Sequence, residues 1–374
     1  MFVACPVERR SIGHSIPAAK TVKMLEELFI RCEGIMITKA KKGKKALLLG
    51  AGGPLGGLEA GALIALDEKG VKFDVISGAC IGSILTLAYA SPAGGRTPRE
   101  ALEFWIGETG VSDVLYKSLP FDFKVFQKQA GALNPLADEW LKKMLSLNPL
   151  YSYEPVNAMH RLYSEMYLLS LVSMMPSTAP FDVSLSRIAP VLEVLIDFDN
   201  LKNAPHDIYI NAMDVTEKEI VIFDKHQITP KHVLAGSSLF YICPQMEIDG
   251  KYYAEGSYID SLNFKGILAK HDEIETIVVM NILNRKDLMR PAKNLVDSLN
   301  LSIMLPFITI AEDDLKLFEA KHKGKRNLLK AQFDIPKEHI PHAMDWSVSN
   351  FKRLRDIGYE AGLKLYAENK ALLS

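Results

Sequence analysis

The stretch Gly78–Gly82 constrains the fold more than any other part of the sequence. It reads Gly-Ala-Cys-Ile-Gly and stands between a β-branched apolar run at 73–77 and an apolar segment of helical spacing at 83–90. This order predicts a strand, a sharp elbow and a helix, with the central residue at the helix N-terminus. Gly78 and Gly82 are expected to shape the elbow, because a Cβ atom at either position would collide with the neighbouring strand or helix.

Cys80 occupies the centre of the elbow, where serine is the usual residue. Many buried cysteines behave as small hydrophobic residues, and the motif alone leaves that interpretation open. A helix N-terminus, however, lowers the pKa of a thiol and favours the thiolate. The motif therefore makes Cys80 a candidate nucleophile, and the rest of the chain has to decide its role.

Composition excludes several classes of protein. The chain has 374 residues, 48% of them hydrophobic, and a formal net charge of -1. These values predict a globular protein with no general attraction to nucleic acid or to anionic membranes. The four cysteines lie far apart without a Cys-x-x-Cys pair, so neither a disulfide framework nor a zinc site is indicated. Without a signal-peptide pattern or a membrane-spanning apolar run, a cytoplasmic location is expected.

A second strand–helix unit precedes the elbow. The apolar run 46–49 predicts a buried strand that ends in the glycine-rich segment 50–57, and a helix is expected over 58–68. Two successive units of this kind predict a parallel sheet with helices on both faces. In such sheets, ligands bind beyond the carboxyl ends of the strands.

The glycine-rich segment 50–57 admits three interpretations. It misses the last glycine of a dinucleotide fingerprint by one place, and it lacks the Gly-Lys-Ser/Thr ending of a phosphate-binding loop. The third interpretation is an oxyanion hole, in which backbone amides point at a carbonyl oxygen. An elbow one strand later favours this third interpretation.

The flanking regions predict three domains or segments. Residues 1–44 form an extension with an amphipathic helical pattern at 18–37, and the lysines at 39–45 are either a solvated linker or a contact for anionic lipid. A main domain is expected over 45–320. Its Met- and Pro-rich part at about 100–200 predicts a helical insertion, which is either core or an apolar cap over the site. Residues 321–374 are expected to be a helical segment that packs on the domain.

Further elements are predicted within these regions. Alternating or continuous apolar runs indicate strands at 207–213, 219–224 and 274–283. Within 248–257, Asp249-Gly250 is a turn signal, and the strand after it is expected to bend tightly at Glu255-Gly256. Helical spacing indicates helices at 232–238, 292–321 and 345–371.

The order of these motifs resembles that of the patatin-like phospholipase family. The similarity extends from about 45 to 265, and weakly to about 320, and rests on 51–56, 78–82, 235–238 and 253–260. The resemblance implies a three-layer α/β/α fold with a mostly parallel sheet, a nucleophile elbow and a helical cap. It also implies a lipid acyl hydrolase that uses a Ser-Asp dyad on a lipid or acyl-ester substrate, without a metal or organic cofactor.

The resemblance also implies roles for particular residues. Cys80 stands at the family's nucleophile, Glu255 at its base, Gly52 and Gly53 at its oxyanion hole, and Gly256 at the turn beside the base. The sequence departs from the family at the nucleophile, where Cys80 replaces serine, and at the base, where Glu255 replaces aspartate. Leu55 occupies the position of the family's basic residue in the glycine loop. Pro54 beside it has no amide hydrogen to donate.

These departures leave alternatives to hydrolysis open. The chain is expected to be a lipid acyl hydrolase; the alternatives are a catalytically inactive lipid-binding or regulatory protein, and an acyltransferase or thioesterase that acts through Cys80. His232 or His271 could pair with Cys80, although each is better explained as a surface or capping residue. Peripheral contact with a membrane is a further expectation, nucleic acid is not expected as a partner, and no protein partner is predicted.

Overall fold

The elbow and the glycine-rich segment lie at the carboxyl edge of one eight-stranded sheet. The computed structural model describes residues 43–374 except 121, 125–126, 129–133, 175–184, 187–188, 241–242, 294 and 323. The helix predicted at 18–37 therefore lies outside the described residues.

The strands are β1 (Lys44–Leu49), β2 (Val75–Gly78), β3 (Gln127–Lys128), β4 (Leu185–Ser186), β5 (Asp207–Asp214), β6 (Glu219–Asp224), β7 (Met246–Ile248), β8 (Lys251–Glu255), β9 (Ile274–Met280) and β10 (Asn327–Lys330). Most strand bounds follow the apolar runs of the sequence, whereas β3, β4 and β10 have no such run.

Helices fill most of the connections between these strands. They are α1 (Gly56–Glu68), α2 (Ile81–Ala90), α3 (Pro98–Thr109), α4 (Asp113–Ser118), α5 (Asn134–Leu147), α6 (Ala158–Met174), α7 (Ala189–Leu195), α8 (Pro230–Ala235), α9 (Phe264–Lys270), α10 (Arg285–Leu288), α11 (Leu295–His322), α12 (Val348–Glu368) and α13 (Lys370–Leu373).

The sheet is mixed and mostly parallel. Its strands run in the order β10-β9-β1-β2-β5-β8-β7, and β6 also pairs with β5. The five strands from β10 to β5 are mutually parallel, whereas β6 and β8 are antiparallel to β5, and β7 is antiparallel to β8. The carboxyl ends of β1 and β2 are therefore neighbours, as two successive strand–helix units require.

Both faces of the sheet are covered, which explains the continuous apolar runs. In β1, Leu47 and Leu49 pack in one hydrophobic cluster with α1, α2 and α12, whereas Ala46 and Leu48 pack in a second with α9 and α11. All four side chains are fully buried. Since successive residues of a strand point to opposite faces, a strand that is buried on both sides shows no polar alternation.

The fold class expected from the sequence is confirmed. Among the described residues, the predicted strands and helices are found within a few residues of their expected bounds, and the α/β fold has the expected mostly parallel sheet. The short helices α9 and α10 were not predicted. The segment 321–374 was expected to be helical, but Asn327–Lys330 forms β10 and pairs with β9. This strand is short and has one buried residue among exposed or half-buried ones, so the sequence carries no strong apolar run.

The insertion has its own small core. Helices α3 to α7 occupy 98–195, and β3 pairs with β4 in a separate two-stranded sheet. Val111, Phe123, Leu141, Leu145, Leu168 and Leu171 are buried together there. Within the described ranges, no helix has both the length and the apolar character that crossing a membrane requires.

Candidate active site

Cys80 lies at the point where β2 ends and α2 begins. Its backbone has φ 52° and ψ -119°, a combination that side-chain-bearing residues rarely adopt. The amide of Ser83 donates a hydrogen bond to the Cys80 carbonyl over 3.1 Å, and the Ser83 hydroxyl donates to the Gly78 carbonyl over 3.0 Å. The surrounding helix and strand thus hold a strained elbow, which presents the thiol at a helix N-terminus.

The two elbow glycines are required by close backbone contacts. A Cβ atom at Gly78 would stand 2.3 Å from the carbonyl oxygen of Gly82, and one at Gly82 would stand 2.4 Å from that of Leu49. The first contact is with the helix and the second with β1. Both collisions involve backbone atoms, which cannot rotate away as a side chain can, so a larger residue does not fit at either position.

The glycine loop lies directly against the elbow. Gly53 has φ +55°, and it opens a short 3-10 turn, Gly53–Leu55. A Cβ atom at Gly56 would stand 2.7 Å from Cγ1 of Ile81, the first residue of α2, and one at Gly52 would stand 2.6 Å from Cδ1 of Ile282. The absence of side chains therefore allows the loop to pack between the elbow and the end of β9.

Three backbone amides of the loop and elbow are available to a ligand. Within the described part of the chain, no acceptor receives a hydrogen bond from the amides of Gly52, Gly53 or Ile81. Ile81 is the first residue of a helix, where the amide has no partner within the helix. Sequence reasoning missed the Ile81 amide, although its place directly after the nucleophile of an elbow is the usual one for an oxyanion donor.

A buried carboxyl group supports the start of the loop, and it was also missed. Glu59 on α1 is fully buried, and its Oε1 accepts a hydrogen bond from the Gly50 amide over 2.6 Å. Burial raises the pKa of Glu59 well above its usual range. Its helical position, nine residues after Gly50, offered no sequence signal for this contact.

Glu255 ends β8 with its carboxylate buried. Its Oε1 accepts hydrogen bonds from the Ser257 hydroxyl over 2.7 Å and from the Ser257 amide over 3.2 Å, and its own amide donates to the Ser238 carbonyl over 2.9 Å. A Cβ atom at Gly256 would stand 2.4 Å from Oδ1 of Asn211. Glycine is therefore needed where the chain turns past β5, as the sequence predicts for this position.

The sheet brings Cys80 and Glu255 to the same edge. Gly78 pairs with Ile210 of β5, and Glu255 pairs with Ala212, two residues further along the same strand. The backbones of Cys80 and Glu255 are thus separated by two strand spacings, or about 10 Å.

Tyr258 lies near both residues. Burial and, secondarily, the Glu255 carboxylate raise the pKa of Tyr258 to about 12, and the thiols of Cys80 and Cys243 act in the same direction. The Tyr258 ring packs against Phe240 and against Phe307 of α11, with ring centroids 5.2 and 4.9 Å apart. Tyr258 stands in the motif that suggested the family resemblance, but nothing in its spacing indicated that it borders the site.

Both histidines considered as partners for Cys80 have other contacts. His271 precedes β9 at the amino edge of the sheet, where its ring nitrogens hydrogen-bond with the Tyr209 hydroxyl and the Glu273 carboxylate. His232 bonds with the Thr229 hydroxyl at the start of α8 and packs on Phe223. His232 thus has the capping role that the sequence favoured, whereas His271 follows α9 at its C-cap position and is buried, with 7% of its surface exposed, and is not a surface residue.

Comparison with known proteins identifies the family. Residues 47–268, more than half of the chain, match the family model described as patatin-like phospholipase. The chain belongs to the patatin-like phospholipase family. Lipids are therefore the class of substrate that membership implies. No curated protein matches the chain.

Several solved structures are similar to the chain at low sequence identity. VipD from Legionella pneumophila is 15% identical with a TM-score of 0.40, and the match covers 88% of this chain and 67% of VipD. Human GIVD cytosolic phospholipase A2, in complex with methyl gamma-linolenyl fluorophosphonate, is 11% identical with a TM-score of 0.42, and coverage is 98% and 66%. ExoU from Pseudomonas aeruginosa, in complex with SpcU, is 16% identical with a TM-score of 0.29, and coverage is 89% and 52%. The chain thus spans about two thirds of the first two proteins and about half of ExoU.

Proposed function

We propose that the protein is a lipid acyl hydrolase with Cys80 as nucleophile, Glu255 as base and the glycine loop as oxyanion hole. The observation that carries this proposal is the strained elbow, which holds Cys80 at a helix N-terminus beside three amides that have no acceptor among the described residues. Strain at one non-glycine residue persists where the surrounding structure enforces it, and such residues concentrate at functional sites.

The reaction would proceed through a thioester. The Cys80 sulfur bonds to the acyl carbon while the thiol proton passes to Glu255, and the amides of Gly52, Gly53 and Ile81 stabilise the oxyanion. The ester C–O bond then breaks, and Glu255 returns the proton to the departing alkoxide. Water attacks the thioester as Glu255 accepts its proton, and that proton finally goes to the departing thiolate, so the thiol is regenerated and a fatty acid is released.

A cysteine relaxes the demands on the base. The pKa of a free thiol is about 8.5, far below that of an alcohol, so a thiol needs less assistance from a carboxylate than serine does. Glutamate is one methylene longer than aspartate, and sulfur is larger than oxygen. Both exchanges alter the distance between the nucleophile and the base, so Cys80 and Glu255 form one altered pair.

Intact-protein mass spectrometry after exposure to a short-chain activated acyl ester tests the assignment. We expect one acyl adduct on the wild type that Cys80→Ala abolishes. Cys243→Ala is the matched control, because Cys243 and Cys80 are equally buried, each with 5% of its surface exposed. An adduct that survives in Cys80→Ala, or no adduct on a thiol that a small alkylating reagent still reaches, would overturn the proposal.

Burial of the site favours acyl transfer as a second candidate. Cys80 is 5% exposed and Glu255 is 0% exposed. A thioester that is shielded from water survives long enough for an alcohol or amine to capture it. Adding a medium-chain alcohol to the assay separates the two functions: an alkyl ester as the main product favours transfer, and free fatty acid as the main product favours hydrolysis.

A further inference from the structure

A largely buried strap connects the parts of the candidate site. The strap, residues 256–263, begins directly after Glu255 and ends where α9 begins. All of its residues except Tyr258 and Ile259 are buried. Buried polar groups in folded proteins are almost always hydrogen-bonded, so the partners of the strap show what it holds in place.

The strap is anchored at β5 and at the glycine loop. The Asp260 carbonyl accepts a hydrogen bond from Nδ2 of Asn211 in β5 over 2.8 Å. The Ser261 carbonyl accepts one from the amide of Ala51, in the glycine loop, over 3.2 Å. One continuous segment thus joins the strand that ends in Glu255 to the loop proposed as the oxyanion hole.

Asn263 anchors the strap to the elbow. Its Nδ2 donates a hydrogen bond to the Ser77 hydroxyl over 2.6 Å and a longer one to the Gly78 carbonyl over 3.4 Å. Asn263 and Ser77 are both fully buried. Ser77 and Gly78 are the last two residues of β2. These hydrogen bonds therefore fix the end of the strap against the strand that leads to Cys80.

The side chain of Asn263 does not cap α9. An asparagine at the N-cap usually accepts a hydrogen bond from a helix amide, but Asn263 makes no such bond with any described residue. The Asp260 carboxylate accepts from the Phe264 and Lys265 amides instead, over 3.1 and 2.9 Å. Asn263 has φ 52° and ψ 38°, a left-handed conformation that glycine adopts equally well. What asparagine adds at this position is therefore its contact with the elbow.

We propose that Asn263 is a positioning residue that holds the strand end bearing Glu255 and the elbow bearing Cys80 at a fixed separation. The inference rests on the proposed function, in which a proton passes between these two side chains. The ladder between β8 and β5 is only three residue pairs long, so the strap is a second connection between the two groups. A displacement of about 1 Å between reacting groups lowers a rate by about a hundredfold.

Hydrolysis of p-nitrophenyl acetate by Asn263→Gly tests this role. Glycine keeps the left-handed backbone but loses the contact with Ser77, so we expect kcat to fall roughly tenfold or more while KM changes less than about twofold. Lys218→Gly is the matched control, because Lys218 has φ 64° in the exposed turn between β5 and β6, and it should leave kcat unchanged. Combined with Ser77→Ala, Asn263→Gly should have less than its full effect, because both changes remove the same hydrogen bond.

Alkylation of Cys80 by iodoacetamide, followed by peptide mass spectrometry, tests the same role without turnover. A carboxylate near a thiol disfavours the thiolate, so Glu255→Gln should raise the alkylation rate by roughly threefold or more. In the Asn263→Gly background, Glu255→Gln should have a smaller effect, because the two groups are no longer held together. Absence of ester hydrolysis by the wild type would count against the proposed function, while the alkylation rates would still decide the role of Asn263.

Ser77→Ala replaces Asn263→Gly in both measurements if the glycine variant unfolds at a lower temperature than the wild type. It removes one hydroxyl group at the other end of the hydrogen bond, and the same two reductions are expected. Equal kcat in Asn263→Gly and Lys218→Gly would overturn the inference. An effect of Glu255→Gln on alkylation that is absent in the wild type, or unchanged in Asn263→Gly, would also overturn it.

Discussion

The two halves of the candidate site are built in different ways. The elbow half, residues 44–90, depends on backbone atoms in contact, as at Gly78 and Gly82. In the carboxylate half, residues 207–264, Gly236 also meets backbone atoms, but the Glu255 carboxylate itself is held by side-chain hydrogen bonds, such as the one from Ser257. A close contact with backbone atoms excludes every residue larger than glycine, whereas a residue that makes a side-chain hydrogen bond can be replaced at a modest cost in stability. Glycines therefore mark the elbow clearly in the sequence, whereas the hydrogen bonds around Glu255 leave a weaker pattern.

Substitution at an elbow glycine should have the largest effect. Gly82→Ala places a Cβ atom 2.4 Å from the Leu49 carbonyl oxygen, and we expect the free energy of unfolding to fall by about 3 kcal/mol. Urea denaturation measures this change. Gly107→Ala in α3 is the matched control: its Cβ atom meets only one atom, at 3.7 Å, so stability should hold or rise. Equal stability of the two variants would contradict the distinction between the halves.

Removal of the charge on Glu255 should have the next largest effect, on rate. Glu255→Gln keeps the shape of the side chain but cannot accept the thiol proton, and we expect kcat for ester hydrolysis to fall about a hundredfold or more. Glu247→Gln, at an exposed position in β7, is the matched control and should leave kcat unchanged. Undiminished turnover in Glu255→Gln would remove this residue from the mechanism.

The stability of the protein should also depend on pH, through the neighbouring carboxyl groups of Asp260 in the carboxylate half and Asp314 in α11. Burial, and then the neighbouring Asp260 carboxylate, raise the pKa of Asp314 to about 7. A raised pKa means that folding favours the protonated carboxyl group of Asp314. The contribution of this group to stability is therefore complete below the pKa of an aspartate in the unfolded chain, and it is lost as pH rises from there through about 7. We expect Tm to fall by roughly a few degrees over this window, and Asp314→Asn to reduce that fall. An identical pH profile in Asp313→Asn and Asp314→Asn would show that the pair has no such role.

The smallest effect is expected at Ser257. Ser257→Ala removes the hydroxyl hydrogen bond to Oε1 of Glu255 but retains the one from the backbone amide. A single hydrogen bond of this kind contributes about 1 kcal/mol, so kcat should fall by roughly tenfold or less. Ser170→Ala, which loses only a bond within α6, serves as the control. A loss as large as that of Glu255→Gln would mean that Ser257 takes part in proton transfer directly.

The sequence predicted the features that have a local signal and missed those that depend on contacts between distant segments. The strands, the elbow and the mostly parallel sheet were predicted from local signals: apolar runs, helical spacing and paired glycines. By contrast, β10, the Glu59–Gly50 hydrogen bond and the position of Tyr258 were missed. Each of these depends on which segments become neighbours in space, and a short strand or a single polar residue within a helix carries no local sign of its partner. The roles of Cys80 and Glu255 in catalysis stay predictions.

By itself, the sequence determined the α/β class, the elbow at Cys80 and the glycine loop before it, because these depend on backbone conformations that few residues tolerate. The tertiary structure alone decided that Glu255 pairs with β5 two residues beyond the partner of Gly78, and that His271 lies at the opposite edge of the sheet. Strand order and register are set by packing over the whole sheet, so no local pattern in the chain encodes them.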